Sequence, residues 1–189
     1  MSGSGEGLLL HTCCAWCLLD VLDEFKREHR RIAVGFFNPN IHPRAEFEKR
    51  LKSVRLLCER LGLELVADEE YGLAAFLSGL YNLGVRPAEE RPKRCGYCYR
   101  LRMERAAGEA ARLGLGTVAT TLLSSPHQRA EDLVRAGEAA AAKAGLRFDG
   151  RLLVGLHGKG RDGCPSGLKL HRQRYCGCIF SESEAYRPA

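Results

Sequence analysis

The sequence predicts an α/β fold, a three-layer sandwich whose mainly parallel central sheet is flanked by helices. Short apolar runs alternate along the chain with longer segments in which apolar residues recur every three or four positions. Strands that alternate with helices favour a parallel sheet that is covered on both faces. Because 189 residues suit one well-buried core, we expect a single α/β domain over residues 1–189, with residues 151–189 as an irregular tail.

The predicted strands are short apolar segments bounded by polar or turn residues. The first contains LLL, the second is RIAVGFF, and the fourth, TVATTLL, is rich in the β-branched residues that pleated sheets favour. A last short strand follows Arg151. The predicted strands cover residues 7–12, 31–37, 63–67, 117–123 and 152–154.

The second predicted helix follows the turn-rich loop NPNIHP, whose two prolines cannot lie inside regular ladders. It begins near Arg44 and ends at Gly62, a residue typical of helix C-termini. Its apolar face includes Cys58, which we therefore predict to be a core residue without chemistry. The face consists of Phe47, Leu51, Val54, Cys58 and Leu61.

The remaining helices are predicted from the same spacing and from their end residues. Ser125 and Pro126 suit the N-cap and first position of an alanine-rich helix. A proline- and charge-rich run through Pro92 predicts a loop that carries Cys95. The predicted helices cover residues 17–29, 44–62, 72–83, 98–113 and 125–145.

Seven of the nine cysteines fall in three groups, HTCCAWC, RCGYCY and YCGC, that are far apart in the sequence. A thiolate is a soft ligand that suits zinc, copper(I) and iron–sulfur clusters, and packing does not explain three cysteines within five residues. Cys164 lies among turn residues and is predicted to be an incidental surface thiol. We expect metal ligation or redox chemistry at Cys13, Cys14, Cys17, Cys95, Cys98, Cys176 and Cys178.

The parallel sheet also predicts where the site lies. Ligands bind beyond the carboxyl ends of the strands, near the point where the strand order reverses. HTCCAWC follows the first strand, NPNIHP follows the second, and a Thr- and Ser-rich stretch closes the fourth. Cys14 and Cys17 stand at a helix start, where free N–H groups and the helix dipole favour thiolate. We expect all these segments to meet at one edge, with the tail completing a metal-binding site.

Three arrangements are compatible with the cysteine spacing. One zinc ion that holds loops together would use four thiols and leave the others unrelated. A metal-free dithiol–disulfide enzyme would use Cys176 and Cys178, which close a strained ring. A cluster with an adjacent metal or redox centre would use all seven, because a single tetrahedral site or cubane takes only four ligands.

Positive charge collects beside the second and third cysteine groups, within a net charge of +6. Residues 91–105 carry six Lys or Arg against Glu104 alone, and residues 151–189 carry seven against three acidic residues. This placement suits a polyanion such as RNA, although the same residues also suit a solvated helix face or the compensation of thiolate charge. The strongest candidates for phosphate contacts are Arg100, Arg172 and Arg174.

The segment before His11 has neither the charge nor the apolar length of a signal peptide, and no stretch approaches a membrane span. We therefore expect a cytoplasmic protein without a membrane partner. In the cytoplasm, nine cysteines are more plausible as metal ligands or redox groups than as structural disulfides.

Five motifs, in this order, resemble the epoxyqueuosine reductase family of the QueH type. They are HTCCAWC, NPNIHP with Glu46 and Arg50 beyond it, RCGYCYRLR, TTLLSSP and HRQRYCGCIFS. The resemblance covers nearly the whole chain. It implies a fold similar to the adenine nucleotide α-hydrolase group and a cobalamin-independent oxidoreductase. The implied reaction is the last step of queuosine synthesis, in which an epoxide in tRNA loses its oxygen to leave a cyclopentene.

The same resemblance implies a [4Fe-4S] cluster and a neighbouring centre, either a second metal ion (iron) or a redox-active dithiol. We expect Cys14, Cys95 and Cys98 to bind the cluster, with Cys13 or one of the YCGC pair. In this assignment the catalytic cysteines are Cys17, Cys176 and Cys178, and the cofactor-binding cysteines are Cys13, Cys14, Cys95 and Cys98. The implied partners are tRNA that carries epoxyqueuosine and an external ferredoxin- or flavodoxin-like electron donor.

Two rival classes remain open at this point. A nucleotide-dependent tRNA thiolase or ligase of similar fold would need a glycine- and serine-rich phosphate loop after the first strand, where this chain has cysteines. A zinc-stabilised RNA-binding module would bind one zinc and no iron.

Overall fold

A computed structural model describes residues 7–85 and 91–186 of the chain. Within these residues the strands are β1 Gly7–His11, β2 Arg31–Phe36, β3 Glu64–Ala67, β4 Thr117–Thr120 and β5 Arg147–Asp149. The α-helices are α1 Ala15–Lys26, α2 Arg44–Leu61, α3 Leu73–Asn82, α4 Arg91–Arg112, α5 Ala130–Lys143 and α6 Ile179–Ala185. Three 3₁₀ turns cover Thr121–Ser124, Val154–Leu156 and Lys159–Arg161.

The five strands form one sheet in the order β3-β2-β1-β4-β5, and every neighbouring pair is parallel. In the centre, Leu10 pairs with Val34 of β2 on one side and with Ala119 of β4 on the other. The strand order reverses between β1 and β4. The prediction of an α/β fold with a mainly parallel sheet is confirmed, and the described sheet is parallel throughout.

Helices cover both faces of this sheet, as predicted. Leu8 and Leu10 are fully buried on one face and pack in the same cluster as the apolar sides of α1 and α2. Leu9, which points the opposite way because side chains alternate along a strand, packs in a cluster with residues of α4 and α5. The helix α3 adds a smaller cluster against α4, with Phe76 and Leu80 at its centre. The result is a three-layer sandwich.

One predicted strand boundary and one whole predicted strand are wrong. The fourth strand ends at Thr120, because the Thr120 hydroxyl accepts a hydrogen bond from the Leu122 amide at 3.2 Å and begins a 3₁₀ turn. No strand forms over 152–154: Leu152 is exposed and a 3₁₀ turn begins at Val154. The strand that does form, β5, was missed because it has only three residues, two of them charged, and lies at the sheet edge.

Two predicted helix starts are also wrong. Cys95 lies inside α4 rather than on a loop. Pro92 does not prevent this earlier start, because it stands in the first helical turn, where a backbone N–H has no partner within the helix. The predicted loop before it includes residues 86–90, which lie outside the described part. The helix α5 begins at Ala130, because Ser125 instead accepts a hydrogen bond from the His127 amide in a turn.

The tail after Arg151 is largely irregular, as predicted, but it ends in the short helix α6. Its glycine-rich part is fastened to α1, where the Asp20 carboxylate accepts hydrogen bonds from the amides of Gly158 and Gly160. Among the described residues, no helix combines the length and the apolarity that crossing a membrane requires.

Candidate metal centre

The first cysteine group lies in the loop that joins β1 to α1. Cys14 is the N-cap of α1, and its sulfur accepts a hydrogen bond from the Cys17 amide at 3.1 Å, the role usually taken by a Ser or Asp oxygen. The loop is fixed by hydrogen bonds from the Thr12 amide to the Gly35 carbonyl and from the Asn38 side chain to the Thr12 carbonyl. The sulfurs are therefore held by rigid backbone.

Cys13, Cys14 and Cys17 form a buried triad whose sulfurs all lie within 4.8 Å of one another. Cys17 is 2.6 Å from Cys14 and 3.8 Å from Cys13 between sulfur atoms. Hydrogen bonds from the other two thiols hold the pKa of Cys13 well below its usual range. Burial raises the pKa of Cys14, and the bond to Cys13 raises that of Cys17. The triad thus contains one thiolate, Cys13, and two protonated thiols, Cys14 and Cys17. A soft cation can replace the two protons.

The second group, Cys95 and Cys98, lies one turn apart on α4. Cys98 is buried and Cys95 is half-buried. Burial raises the pKa of both thiols, that of Cys98 to about 11. The guanidinium of Arg102, one turn further along the helix, donates a hydrogen bond to the Cys98 sulfur at 3.7 Å.

The third group lies in the tail, where the sulfurs of Cys176 and Cys178 are 3.7 Å apart. Cys178 caps the short helix α6 through a hydrogen bond from the Ser181 amide. The hydrogen bond from Cys178 lowers the pKa of Cys176 to about 5, and the same contact raises that of Cys178 well above its usual range. The pair therefore holds one proton and one negative charge.

A side chain of α2 and the backbone of the preceding loop fasten this part of the tail. The buried Arg50 donates to the Glu46 carboxylate at 2.7 Å, to the Tyr175 carbonyl at 2.9 Å and to the Cys176 carbonyl at 3.3 Å. The carbonyl of Gly177 accepts a hydrogen bond from the His42 amide at 2.7 Å. The tail cysteines thus have a fixed position without belonging to a sheet.

Gln173 connects the tail to the triad. Its amide nitrogen donates hydrogen bonds to the sulfurs of Cys14 at 2.8 Å and Cys17 at 3.4 Å. Hydrogen bonds to sulfur stabilise thiolate and tune metal–sulfur centres. The sequence could have indicated Gln173 as a site residue, because it lies three residues before Cys176 in a segment that was predicted to belong to the site.

One pocket of about 460 Å³ opens beside these groups at the end of the sheet where the strand order reverses. Thr121 and Leu122, which follow β4, form part of its wall. Five cysteines from all three groups line it: Cys13, Cys17, Cys95, Cys176 and Cys178. Cys14 and Cys98 are buried and do not line it. The prediction that distant cysteines meet near the switch point is in agreement with this pocket.

The cysteines nevertheless form one close triad and two separate pairs. The expected cluster ligands are Cys14, Cys95 and Cys98, but their sulfurs do not all lie within 4.8 Å of one another. Among the cysteines of the described residues, only Cys13, Cys14 and Cys17 form such a set. Ligands of a cubane bind different iron atoms, so the assignment stays a prediction. The sulfur donors, the shared protons and the cavity together fit a thiolate-bound metal group.

The predicted phosphate-binding residues have different positions. Arg174 lines the cysteine-lined pocket, and Arg172 and Arg174 flank a second cavity beside Gln173. Arg100 is exposed, stacks over the Tyr97 ring at 5.6 Å and lines neither cavity. Arg91 and His127 stand in the wall of the cysteine-lined pocket and were not singled out from the sequence.

Two of the buried arginines beside the cysteines, Arg50 and Arg102, were given no role of their own from the sequence. Arg50 lies on the otherwise apolar face of α2, four residues after Glu46, and Arg102 follows Cys98 by four residues on the face of α4 that carries the cysteines. A charge on a buried face was the available signal in both cases. The imidazole of His11, which accepts from Arg102 at 3.3 Å, is kept neutral because burial lowers its pKa to about 3.

The fold and the site define a parallel α/β protein with a thiol-lined pocket at its topological switch point, a class in which the cysteines can bind a metal. The chain belongs to the epoxyqueuosine reductase QueH family, whose sequence model matches residues 8–184. It is thereby an oxidoreductase of the QueH type.

Relatives described as epoxyqueuosine reductase QueH support this membership. One from Dehalococcoides mccartyi is 33% identical over 179 residues, which cover 95% of this chain and 94% of the relative. One from Thermotoga maritima is 32% identical over 187 residues, or 92% of this chain and 89% of the relative. One from Helicobacter pylori is 34% identical over 187 residues, or 92% of this chain and 49% of the relative.

Proposed function

We propose that the protein reduces epoxyqueuosine in tRNA to queuosine with a [4Fe-4S] cluster and an adjacent metal ion or thiol pair. The epoxide accepts two electrons and two protons, both carbon–oxygen bonds break, and the products are an alkene and one water molecule. The observation that carries the proposal is the pocket at the switch point, to which three distant cysteine groups contribute. Its volume of about 460 Å³ suits one modified base and sugar.

The proposed cluster ligands are Cys14, Cys95 and Cys98, with Cys13 or one of the tail pair as the fourth. The remaining thiols then serve the second centre, and Cys17, Cys176 and Cys178 are its catalytic residues. When bound, these groups would supply single electrons and Lewis acidity at the epoxide oxygen. The hydrogen bonds that Gln173 donates to the sulfurs of Cys14 and Cys17 would stabilise both as thiolates once a metal replaces their protons.

The protein's own side chains bind and orient the substrate in this proposal. Arg91, His127 and Arg174 bring cationic or hydrogen-bonding groups to the pocket wall, and Arg172 stands beside it. Arginine forks match the oxygens of phosphate, so these side chains hold the RNA backbone while the base enters. The exposed Arg100, outside the pocket wall, contacts phosphate further along the strand.

The tail pair can hold a proton where the reaction needs one. Cys178 retains its proton and Cys176 is a thiolate at neutral pH in the metal-free arrangement. Both sulfurs belong to residues of the pocket wall. Where no metal occupies the pair, the Cys178 thiol can donate a hydrogen bond to the leaving oxygen. The reducing equivalents come from an external ferredoxin- or flavodoxin-like protein.

Anaerobic purification with metal analysis, followed by mass spectrometry of tRNA that carries epoxyqueuosine, tests the proposal. We expect a brown protein with absorbance near 400 nm, roughly four to five irons per chain, and conversion of the epoxide to the alkene. Cys95→Ala should lose iron and turnover, whereas Cys164→Ala, the matched control in the tail, should keep both. Unchanged iron and turnover in Cys95→Ala would refute the cluster ligands.

A different outcome would favour the rival class. A colourless protein that contains one zinc per chain and binds tRNA without changing its mass would identify a zinc-stabilised RNA-binding module.

A further inference from the structure

Arg102 is a buried cation in the middle of α4. Its exposed fraction is 3%, and it lies one turn after Cys98 on α4. A charge removed from water costs several kcal/mol unless an opposite charge or a set of hydrogen bonds compensates it. The residues that accept hydrogen bonds from Arg102 therefore indicate the role of its charge.

None of those acceptors is a carboxylate. Arg102 donates hydrogen bonds to the Asn38 side-chain oxygen at 2.6 Å, to the His11 ring at 3.3 Å and to the Cys98 sulfur at 3.7 Å. An amide and an imidazole carry no negative charge. In the part of the chain that the structure describes, Arg102 has no salt bridge, whereas the equally buried Arg50 has Glu46 at 2.7 Å.

The sulfur that Arg102 contacts belongs to Cys98, a proposed cluster ligand. A metal bound to Cys98 would make this sulfur a thiolate and so supply the negative charge that the other acceptors lack. His11 and Asn38 border the loop after β1 that carries Cys13 and Cys14, and Asn38 also donates to the Thr12 carbonyl in that loop. One buried cation therefore connects the second cysteine group with the base of the first.

We propose that Arg102 is the fixed counter-charge of the thiolate centre, a positioning residue that strengthens metal retention and raises the reduction potential of the bound group. The proposal rests on the proposed function for its redox part. A thiolate-bound metal group carries more negative charge than the protonated thiols that it replaces, so a nearby cation favours the loaded state. Adding an electron increases that negative charge, so the same cation favours reduction.

Four variants test the counter-charge. Arg102→Met removes the charge and keeps much of the volume, while Arg102→Lys keeps the charge. Asn38→Asp supplies the carboxylate that Arg102 lacks. It also removes the hydrogen bond from the Asn38 amide to the Thr12 carbonyl, so its result is compared with that of Arg102→Met, which keeps this bond. Arg105→Met is the matched control, because Arg105 lies on the same helix but is half-exposed and paired with Asp68 and Glu109.

The first readout is the reduction potential of anaerobically purified protein, followed by absorbance and by electron paramagnetic resonance. At a fixed applied potential, Arg102→Met and Asn38→Asp should lower the ratio of reduced to oxidised centre at least tenfold. For a one-electron centre, a tenfold change corresponds to a reduction potential about 59 mV lower. Arg102→Lys should restore most of this ratio, and Arg105→Met should not change it. An iron-loaded Arg102→Met or Asn38→Asp with the wild-type potential overturns the proposal and leaves the proposed function standing.

The second readout is the rate at which a chelator removes the metal that the purified protein holds, whichever metal it is. Arg102→Met should release it at least tenfold faster, Asn38→Asp should release it faster than wild type, and Arg105→Met should match wild type. If the wild type holds zinc and no iron, the proposed function fails while this readout still tests the counter-charge. Equal release rates in all variants, or a wild type that retains no metal, overturn the proposal.

Discussion

The triad and the tail pair use different means to hold their sulfurs. The triad of Cys13, Cys14 and Cys17 follows the central strand β1, and Cys14 caps the helix α1. Hydrogen bonds of the strand ladder and of the helix N-terminus therefore fix the three sulfurs. The pair at Cys176 and Cys178 belongs to no sheet and relies on the Arg50 side chain of α2 and on the backbone amide of His42 in the loop before it. The triad is buried, whereas Cys176 is exposed.

This difference indicates which part of the site is a rigid support and which part can detach. A segment held by a few side-chain hydrogen bonds opens at lower free energy than one inside the core sheet. The tail contacts include His171, whose amide donates to the Ser53 hydroxyl and whose ring contacts Glu46 at 2.8 Å. Substitutions on α2 should therefore release the tail and leave the triad folded.

The largest effect is expected from the triad itself. Cys17→Ser replaces a soft sulfur with a hard oxygen at the centre of the triad, and the loss of even an outer partner costs about 10- to 100-fold in metal affinity or activity. Turnover should fall below about 1% of the wild-type value, whereas the irons of the cluster, which is assigned to other cysteines, should be retained. Cys164→Ser, which changes a half-buried thiol outside the pocket wall, is the control. Full turnover in Cys17→Ser would remove Cys17 from the site.

The next largest effect is expected from the anchor of the tail. Arg50→Met leaves the Glu46 carboxylate with only His171, and breaking a buried pair costs about 3–5 kcal/mol. Hydrogen exchange should accelerate over residues 171–178 much more than over residues 12–17, and turnover should fall. Glu46→Gln with Arg50→Met should be less destabilised than Arg50→Met alone, because it leaves no unpaired charge. Equal acceleration in both segments would show that the tail is not separable.

Sequence reasoning succeeded where structure is local. The first four strands were predicted because each is a compact apolar run, and the cysteine edge followed from the rule that parallel strands end together. It failed where position depends on distant partners. The edge strand β5 exists through its pairing with β4. The burial of Arg50 depends on a tail more than 120 residues away, and a charge on an apolar helix face suits snorkelling as well as burial.

A smaller effect is expected from Gly177, the residue between the tail cysteines. Its φ of 111° lies in a region that L side chains rarely adopt, and an added Cβ would stand 2.9 Å from Ile41 and 3.1 Å from the Arg50 guanidinium. Gly177→Ala should cost about 1–3 kcal/mol of local strain and reduce turnover while the triad keeps its burial. Gly155→Ala, where the added atom meets open space, is the matched control. Equal turnover in the two variants would show that the tail tolerates displacement.

The smallest effect is expected from Cys58, which tests whether a buried thiol is functional merely because it is a cysteine. It packs on the apolar face of α2, and burial raises its pKa to about 12. Because a thiol below its pKa is protonated and unreactive, Cys58 in the native metal-free protein should resist iodoacetamide at pH 7 and react after unfolding in urea. Exposed Cys176, with a pKa of about 5, should react in the native state. Cys58→Ala should lower the free energy of unfolding by about 1 kcal/mol and leave metal content unchanged, so a loss of metal would make Cys58 part of the site.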